Sequence, residues 1–190
     1  MPRKCVKGGR KGKGPSWYCD QCTAITKKGK RCSICTCKTG PYCFVHLKYL
    51  KGLQVKPSRI PGAGMGLYTV VPRAPNSYID DYTGERLTKK QLETRYPGDV
   101  VAEYAWKHGK MYIDPVKSNS GAARYANTCD APAGAKRHCK NNLYAKSTKK
   151  AVRFYTCNRF IPAGEELYVS YGGGGYAFDG GEPLLSYRCG

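Results

Sequence analysis

Between Cys19 and His46 the chain reads CDQCTAITKKGKRCSICTCKTGPYCFVH, which places Cys19-x2-Cys22, Cys32-x2-Cys35-x-Cys37 and Cys43-x2-His46 in one short segment. A stretch this short cannot bury a core of its own, so something other than apolar burial has to close it. Disulfides and a metal ion are the two candidates. The preceding residues 1–16, MPRKCVKGGRKGKGPS, carry no apolar run of the kind a secretory leader needs. A thiol-keeping compartment is therefore expected, and it argues against a disulfide scaffold and toward metal. Thiolate pairs on either side of a basic loop, closed by Cys-x-x-His, satisfy the tetrahedral sulfur and nitrogen coordination that zinc prefers. The candidate ligands are Cys19, Cys22, Cys32, Cys35, Cys37, Cys43 and His46. With Cys5 there are enough for two ions, so the number of zinc ions and the pairing stay open.

Charge points the same part of the chain at a polyanion. The formal net charge is +20, and 13 of the 33 basic residues but only one of the 13 acids, Asp20, precede residue 52. Such a region binds nucleic acid or nucleosomal DNA mainly through phosphates, without sequence preference and with steep salt dependence. A solubilising or import role is the plainer alternative. No apolar run approaches the roughly 20 residues that span a bilayer, so no membrane partner is expected.

From Val55 onward the texture changes. Runs such as GLYTVV, SYIDDYTG, KMYID, NLYAK and AVRFYTC are rich in Tyr, Val and Ile and are bounded by turn residues, as strands are. Only TKKQLETRY, Thr88 to Tyr96, reads as a helix, with Thr88 as its cap. The expected fold class is mainly β, a β-rich α+β domain, without the helix-sized spacers of repeated β-α-β units. IPGAGMGLYTV, Ile60 to Val70, is no dinucleotide fingerprint, because a strand follows it and not a helix. It reads as a glycine loop whose backbone approaches a ligand closely. GEELYVSYGGGG, from Gly164, ends a strand-like run in Tyr171 against four glycines, and there a partner can dock.

Four segments in order, GAGMGLY, YTGERLT from Tyr82, ARYANTC from Ala123 and GEELYVSYG, resemble the SET domain of protein lysine methyltransferases. That family's pattern runs Gly-x-Gly-x-Gly-Leu-Phe, Tyr-x-Gly-Glu, Arg-Phe-x-Asn-His-Ser and Gly-Glu-Glu-Leu-x-x-x-Tyr-Gly. The resemblance implies a clip of small β-sheets in which the Asn-bearing and Tyr-bearing segments cross like a knot. It also implies S-adenosylmethionine on one face, a basic peptide such as a histone tail on the other, and a lysine channel between them. On that resemblance Gly64, Met65, Gly66, Arg124, Asn127 and the backbone of Thr128 bind the cofactor. Tyr171 stands at the reacting centre, and Tyr82 and Tyr144 line the channel. Tyr144 would crowd the channel toward a single methyl transfer, while Val169, in the place that sets methyl count, pulls the other way.

The expected layout is a basic tail over 1–16, a zinc segment over 17–51, the SET domain over 52–176 and a closing segment over 177–190. The zinc segment resembles small Cys3His segments in proteins of large DNA viruses, and on that resemblance Cys22, Cys32, Cys43 and His46 are the favoured set. The setting expected is the nucleus of a eukaryotic cell or, for a viral protein, the host cell or virion. Thr128, Cys129 and Ser170 depart from the family's His, Ser and Asp. An inactive SET-like zinc protein that binds nucleic acid is therefore the competing expectation. A basic substrate also needs an acidic groove, for which Asp80, Asp81, Glu85, Asp99, Glu103 and Asp114 are the candidates.

Overall fold

The computed structural model describes residues 5–6, 18–36, 39–98, 102, 104–116, 120–130 and 139–171, with residues 5, 6, 18 and 19 described in their backbone alone. The glycine run after Tyr171, the closing segment, Cys37, Asp99 and Glu103 lie outside the described residues. The secondary structure is mostly β, as the strand-like runs imply. Among the described residues, twelve short strands form four three-stranded sheets.

The N-terminal sheet joins β1 (Cys5–Val6), β2 (Tyr18–Gln21) and β3 (Cys35–Thr36). Between β2 and β3 the basic loop folds into a tight hairpin. Thr26 and Lys30 bond across it, Gly29 takes φ +71°, and Cys32 N–H returns to the Ala24 carbonyl. The positive φ explains the glycine in TKKGK. A short helix α1 (Phe44–His46) follows and runs into a π-helical turn, Leu47–Lys51, which ends at the left-handed Gly52.

The remaining strands build the main body. β4 (Leu53–Pro57) pairs with β5 (Met65–Thr69), and β12 (Glu166–Leu167) adds to the other edge of β5. β6 (Tyr78–Tyr82), β10 (Leu143–Ser147) and β11 (Val152–Thr156) form the second sheet, with β11 central. β7 (Glu85–Leu87), β9 (Met111–Asp114) and β8 (Trp106–His108) form the third. The predicted helix is α2, Lys89–Arg95, and Thr88 and Gln91 close a reciprocal capping box at its start. A shared core is built from Leu53, Leu67, Ile79, Ile113, Leu143, Val152, Phe154, Ile161 and Leu167, while Leu87 of β7 packs with Leu92, Ala102 and Tyr112 in a separate cluster. Among the described residues no helix is long and apolar enough to cross a membrane.

The crossing is explicit in the hydrogen bonds. Tyr168 and Val169 lie between two segments, making parallel bridges to Asn127 on one side and Leu143 on the other. Val169 N–H donates to the Asn127 carbonyl at 2.9 Å, and Leu143 N–H donates to the Tyr168 carbonyl at 2.8 Å. Asn142 locks the passage. Its amide donates to the Glu166 carbonyl at 2.7 Å, and its carbonyl oxygen accepts from Tyr168 N–H at 2.8 Å.

Cysteine chemistry differs from the expectation. Cys129 and Cys139 form a disulfide, and Cys35 and Cys157 are also disulfide-bonded. Sequence separation hid the first pair, since Cys129 and Cys139 are ten positions apart and yet lie at a Cα–Cα distance of 5.3 Å.

Candidate active site and metal centre

Three elements converge at the crossing. The glycine loop leads into β5, the Asn127 segment leaves the 3₁₀ turn Ala122–Tyr125, and the segment after β12 carries Tyr171. Asn127 ties the first two together, its Nδ2 donating to the Met65 carbonyl at 3.1 Å. Gly64 has φ +70°, and a side chain there would meet nothing within 4 Å, so this backbone faces open space. Gly66 has another reason to be glycine. A Cβ there would sit 2.1 Å from Glu166 Oε1, so the residue makes room for a buried carboxylate and not for a ligand.

That carboxylate organises the site, and the sequence reading assigned it no role. Glu166 is fully buried. It accepts from Ser58 Oγ at 2.6 Å, Arg59 N–H at 2.7 Å, Tyr168 OH at 2.8 Å and Tyr68 OH at 2.9 Å, and Asn127 Nδ2 approaches at 3.4 Å. Burial alone would raise its pKa, but these donors outweigh burial and hold it below the usual carboxylate range. Burial and the Glu166 charge push Tyr68 up to about 12, so its phenol stays a donor.

Glu166→Gln sets an amide among donors and is expected to cost about 2–4 kcal/mol at neutral pH. Because the folded pKa is depressed, this contribution is present above the unfolded value near 4.3 and is lost as pH falls through the lower folded value. Urea midpoints of the two proteins should therefore differ at pH 7 and draw together as pH falls below the ordinary carboxylate range.

Tyr171 is 38% exposed. Its hydroxyl donates to the Ala126 carbonyl at 2.8 Å, and its ring meets Trp106 edge-on with centroids 6.4 Å apart. Tyr82 lies behind Trp106 at 5.3 Å and against Phe154 at 5.7 Å, with its hydroxyl donating to the Tyr104 carbonyl at 2.5 Å. Burial, then the neighbouring Tyr171, raises the Tyr82 pKa, so it remains protonated. Trp106 thus joins the two tyrosines. Its strand, β8, was not among the runs legible in the sequence.

Two assigned residues are placed elsewhere. Tyr144 is opposite Tyr155 in the β10–β11 register and stacks on it at 5.6 Å. Strand alternation puts Tyr155 on the face opposite Phe154, so Tyr144 points away from Tyr82, Trp106 and Tyr171. It neither lines a channel with them nor crowds one, and the argument from Tyr144 for a single methyl transfer falls with it. Tyr144→Phe is expected to leave kcat within about twofold in a steady-state assay. Arg124 is 8% exposed, and its guanidinium is taken by the Pro115 carbonyl and Ser120 Oγ and lies over the Tyr104 ring. It braces the 3₁₀ turn from inside and does not reach into the space before Gly64. Thr128 keeps its backbone beside Asn127, and its hydroxyl accepts from Asp130 N–H at 3.1 Å.

The acidic candidates are also differently employed. Asp80 pairs with Lys51, Asp81 with Arg153, and Glu85 and the fully buried Asp114 with Arg95. Each of the four described acids is matched by a base, so they do not form an open acidic groove.

The Cys/His segment gathers four ligands. Single ligand atoms of Cys22, Cys32, Cys43 and His46 all lie within 4.8 Å of one another. His46 Nδ1 is 3.3 Å from Cys43 Sγ and 3.6 Å from Cys22 Sγ, near the roughly 3.5–3.8 Å edges of a tetrahedron with zinc bond lengths. Cys43 N–H donates to Cys22 Sγ at 3.3 Å, which suits a thiolate. The donor set and spacing fit zinc. Cys35 is outside this set because it is disulfide-bonded and faces solvent while its strand neighbour Thr36 turns inward. The side chains of Cys19 and Cys37 are outside the described residues.

A family model for the SET domain matches residues 19–172. The chain belongs to the SET domain family. Solved structures agree on the SET fold. The Chaetomium thermophilum polycomb repressive complex 2 is 23% identical with a TM-score of 0.52, over 64% of this chain and 15% of that one. A structure titled as ctPRC2 in an autoinhibited conformation bound to S-adenosylmethionine gives 22% and 0.52 over the same shares. One of ctPRC2 in complex with H3K27me3 and H3K27M gives 22% and 0.52, over 73% of this chain and 16% of that one. This chain therefore spans about one sixth or less of those chains. No curated protein sequence matched it.

Proposed function

We propose that this SET domain is an S-adenosylmethionine-dependent protein lysine N-methyltransferase acting on histone or histone-like basic tails. The observation that carries the reading is the fixed hydroxyl of Tyr171. Because its proton is given to the Ala126 carbonyl, the lone pairs of the oxygen remain to accept from an incoming amine. The Tyr82 hydroxyl is oriented the same way by the Tyr104 carbonyl.

S-adenosylmethionine would supply an electrophilic methyl on a sulfonium, and Gly64, Met65, Asn127 and the Thr128 backbone would hold it. The lysine enters between aromatic faces that tolerate its cation while disfavouring water. A free lysine, with pKa near 10.4, is about one part in a thousand neutral near pH 7.4, so a dry aromatic entrance that lowers this value helps directly. Its proton leaves to solvent before attack. Tyr171 then aims the neutral nitrogen, and the transfer is an in-line displacement governed by alignment. That a similar structure was solved with H3K27me3 and H3K27M supports a histone tail as the first substrate to try. Cys22, Cys32, Cys43 and His46 would hold a structural zinc ion that folds the N-terminal segment.

A second reading, an inactive SET-like zinc protein on nucleic acid or nucleosomal DNA, draws on the net charge of +20. It gains from the internal pairing of the described acids, which leaves the basic excess uncompensated. Either reading places the protein beside nucleic acid, in a nucleus or with a viral genome. Titration calorimetry with S-adenosylmethionine, followed by labelled transfer to core histones, separates them. Cofactor binding and label on lysine are the expected results. No cofactor binding, with DNA affinity that falls steeply with salt, would establish the second reading.

A further inference from the structure

We infer that Asp130 is a positioning residue that sets the geometry of Tyr171, an inference that rests on the methyltransferase reading. The bridges that hold the crossing strand end at Val169, two residues before the tyrosine that has to be aimed. At that point a carboxylate from another segment takes over. Asp130 Oδ2 accepts from Ser170 Oγ at 2.7 Å and from the backbone N–H of Tyr171 at 3.0 Å. Tyr171 is thus held at its amide by Asp130 and at its hydroxyl by the Ala126 carbonyl.

Asp130 is itself fixed. Its Oδ1 accepts from Asn141 Nδ2 at 2.8 Å, and its N–H donates to Thr128 Oγ1 at 3.1 Å. The preceding Cys129 is bonded to Cys139, and its N–H donates to Asn141 Oδ1 at 2.9 Å. Asn141 is buried, so this support is not surface decoration. The carboxylate chemistry matters as well as the position. Three donors converge on its two oxygens, so both sides of the side chain have to accept. An amide would have to turn its NH2 toward either Asn141 or the Ser170–Tyr171 pair, donor against donor.

Ser170, where the SET pattern carries Asp, then has a use. It reaches across the crossing to a carboxylate supplied by Asp130. Since transfer depends on alignment, a 1 Å drift of the hydroxyl is worth about 10²-fold in rate.

The test compares wild type, Asp130→Asn and Ser170→Ala in a steady-state histone methylation assay. Calorimetric S-adenosylmethionine affinity, melting temperature and the tyrosine amide spectrum of 15N-Tyr-labelled protein are measured alongside. The Tyr171 amide is identified by its disappearance in Tyr171→Phe. For Asp130→Asn we expect kcat to fall at least about tenfold with cofactor affinity held within about twofold, and the Tyr171 amide proton to move upfield and lose protection. Ser170→Ala, which keeps the bond to the Tyr171 amide, should show a smaller fall and keep the amide shift. Unchanged kcat with an unmoved Tyr171 amide in Asp130→Asn would overturn the inference. So would a loss of kcat matched by equal losses in cofactor affinity and melting temperature. If wild type transfers no methyl, the methyltransferase reading fails, while the amide shift still decides whether Asp130 holds Tyr171.

Discussion

Tyr171→Phe is expected to lower kcat by about 100-fold or more, equivalent to about 2.7 kcal/mol of transition-state stabilisation, with cofactor affinity nearly unchanged. The substitution removes one oxygen and little else. The ring keeps its edge contact with Trp106, and the amide keeps its bond to Asp130. The bond to the Ala126 carbonyl is lost from the folded protein, which costs about 0.5–1.5 kcal/mol in stability. Activity should therefore collapse while the melting temperature shifts by only a few degrees. The measurement is initial-rate transfer of labelled methyl to histones, with calorimetry on the same preparations. A kcat within threefold of wild type would remove Tyr171 from the reacting centre.

The second large effect concerns metal. The purified chain is expected to carry one zinc ion per molecule, and stripping it should unfold the Cys/His segment. Apparent zinc affinities of comparable peptides correspond to about 10–16 kcal/mol, far more than the small cluster of Cys22, Ala24, Cys32 and Cys43 supplies by burial. The damage should reach the SET core. Tyr42 packs against both that cluster and the main core, and Leu47, at the end of α1, is part of the main core. Cys43→Ser should lose zinc and lower the melting temperature, whereas Cys35→Ser, outside the four-ligand set, should retain zinc. Elemental analysis and thermal melts with and without chelator check this. Equal zinc loss in both variants would contradict the assignment of ligands.

Much of the architecture was legible along the chain because its signals are local. Alternating Tyr, Val and Ile between turn residues marked β5, β6, β9, β10 and β11, and the Thr88–Gln91 spacing marked the start of α2. The motif segments of Gly64, Asn127 and Tyr171 also came together at the crossing as their order suggested. Trp106 escaped notice because its strand has only three residues. Glu166 lay in plain sight inside GEEL, yet nothing along the chain says that Ser58, Arg59, Tyr68 and Tyr168 close on it.

The misplacements share one cause, that the face on which a side chain lies is set by pairing between segments. Tyr144 is a strand tyrosine in either register, and its pairing with Tyr155 turned it from the site. Arg124 sits beside Asn127 in sequence, but the 3₁₀ turn sends its guanidinium inward to Pro115. The middle acids looked like a patch until folding brought Lys51, Arg95 and Arg153 to them. By itself the sequence determined the strands β5, β6, β9, β10 and β11, the helix cap, the zinc-type spacing and the order of the four motifs, since each depends on residues a few positions apart. Only the tertiary structure decided that Cys129 pairs with Cys139, which tyrosines meet, and that Asp130 reaches Tyr171, because those partners are brought together by chain crossings that no local pattern encodes.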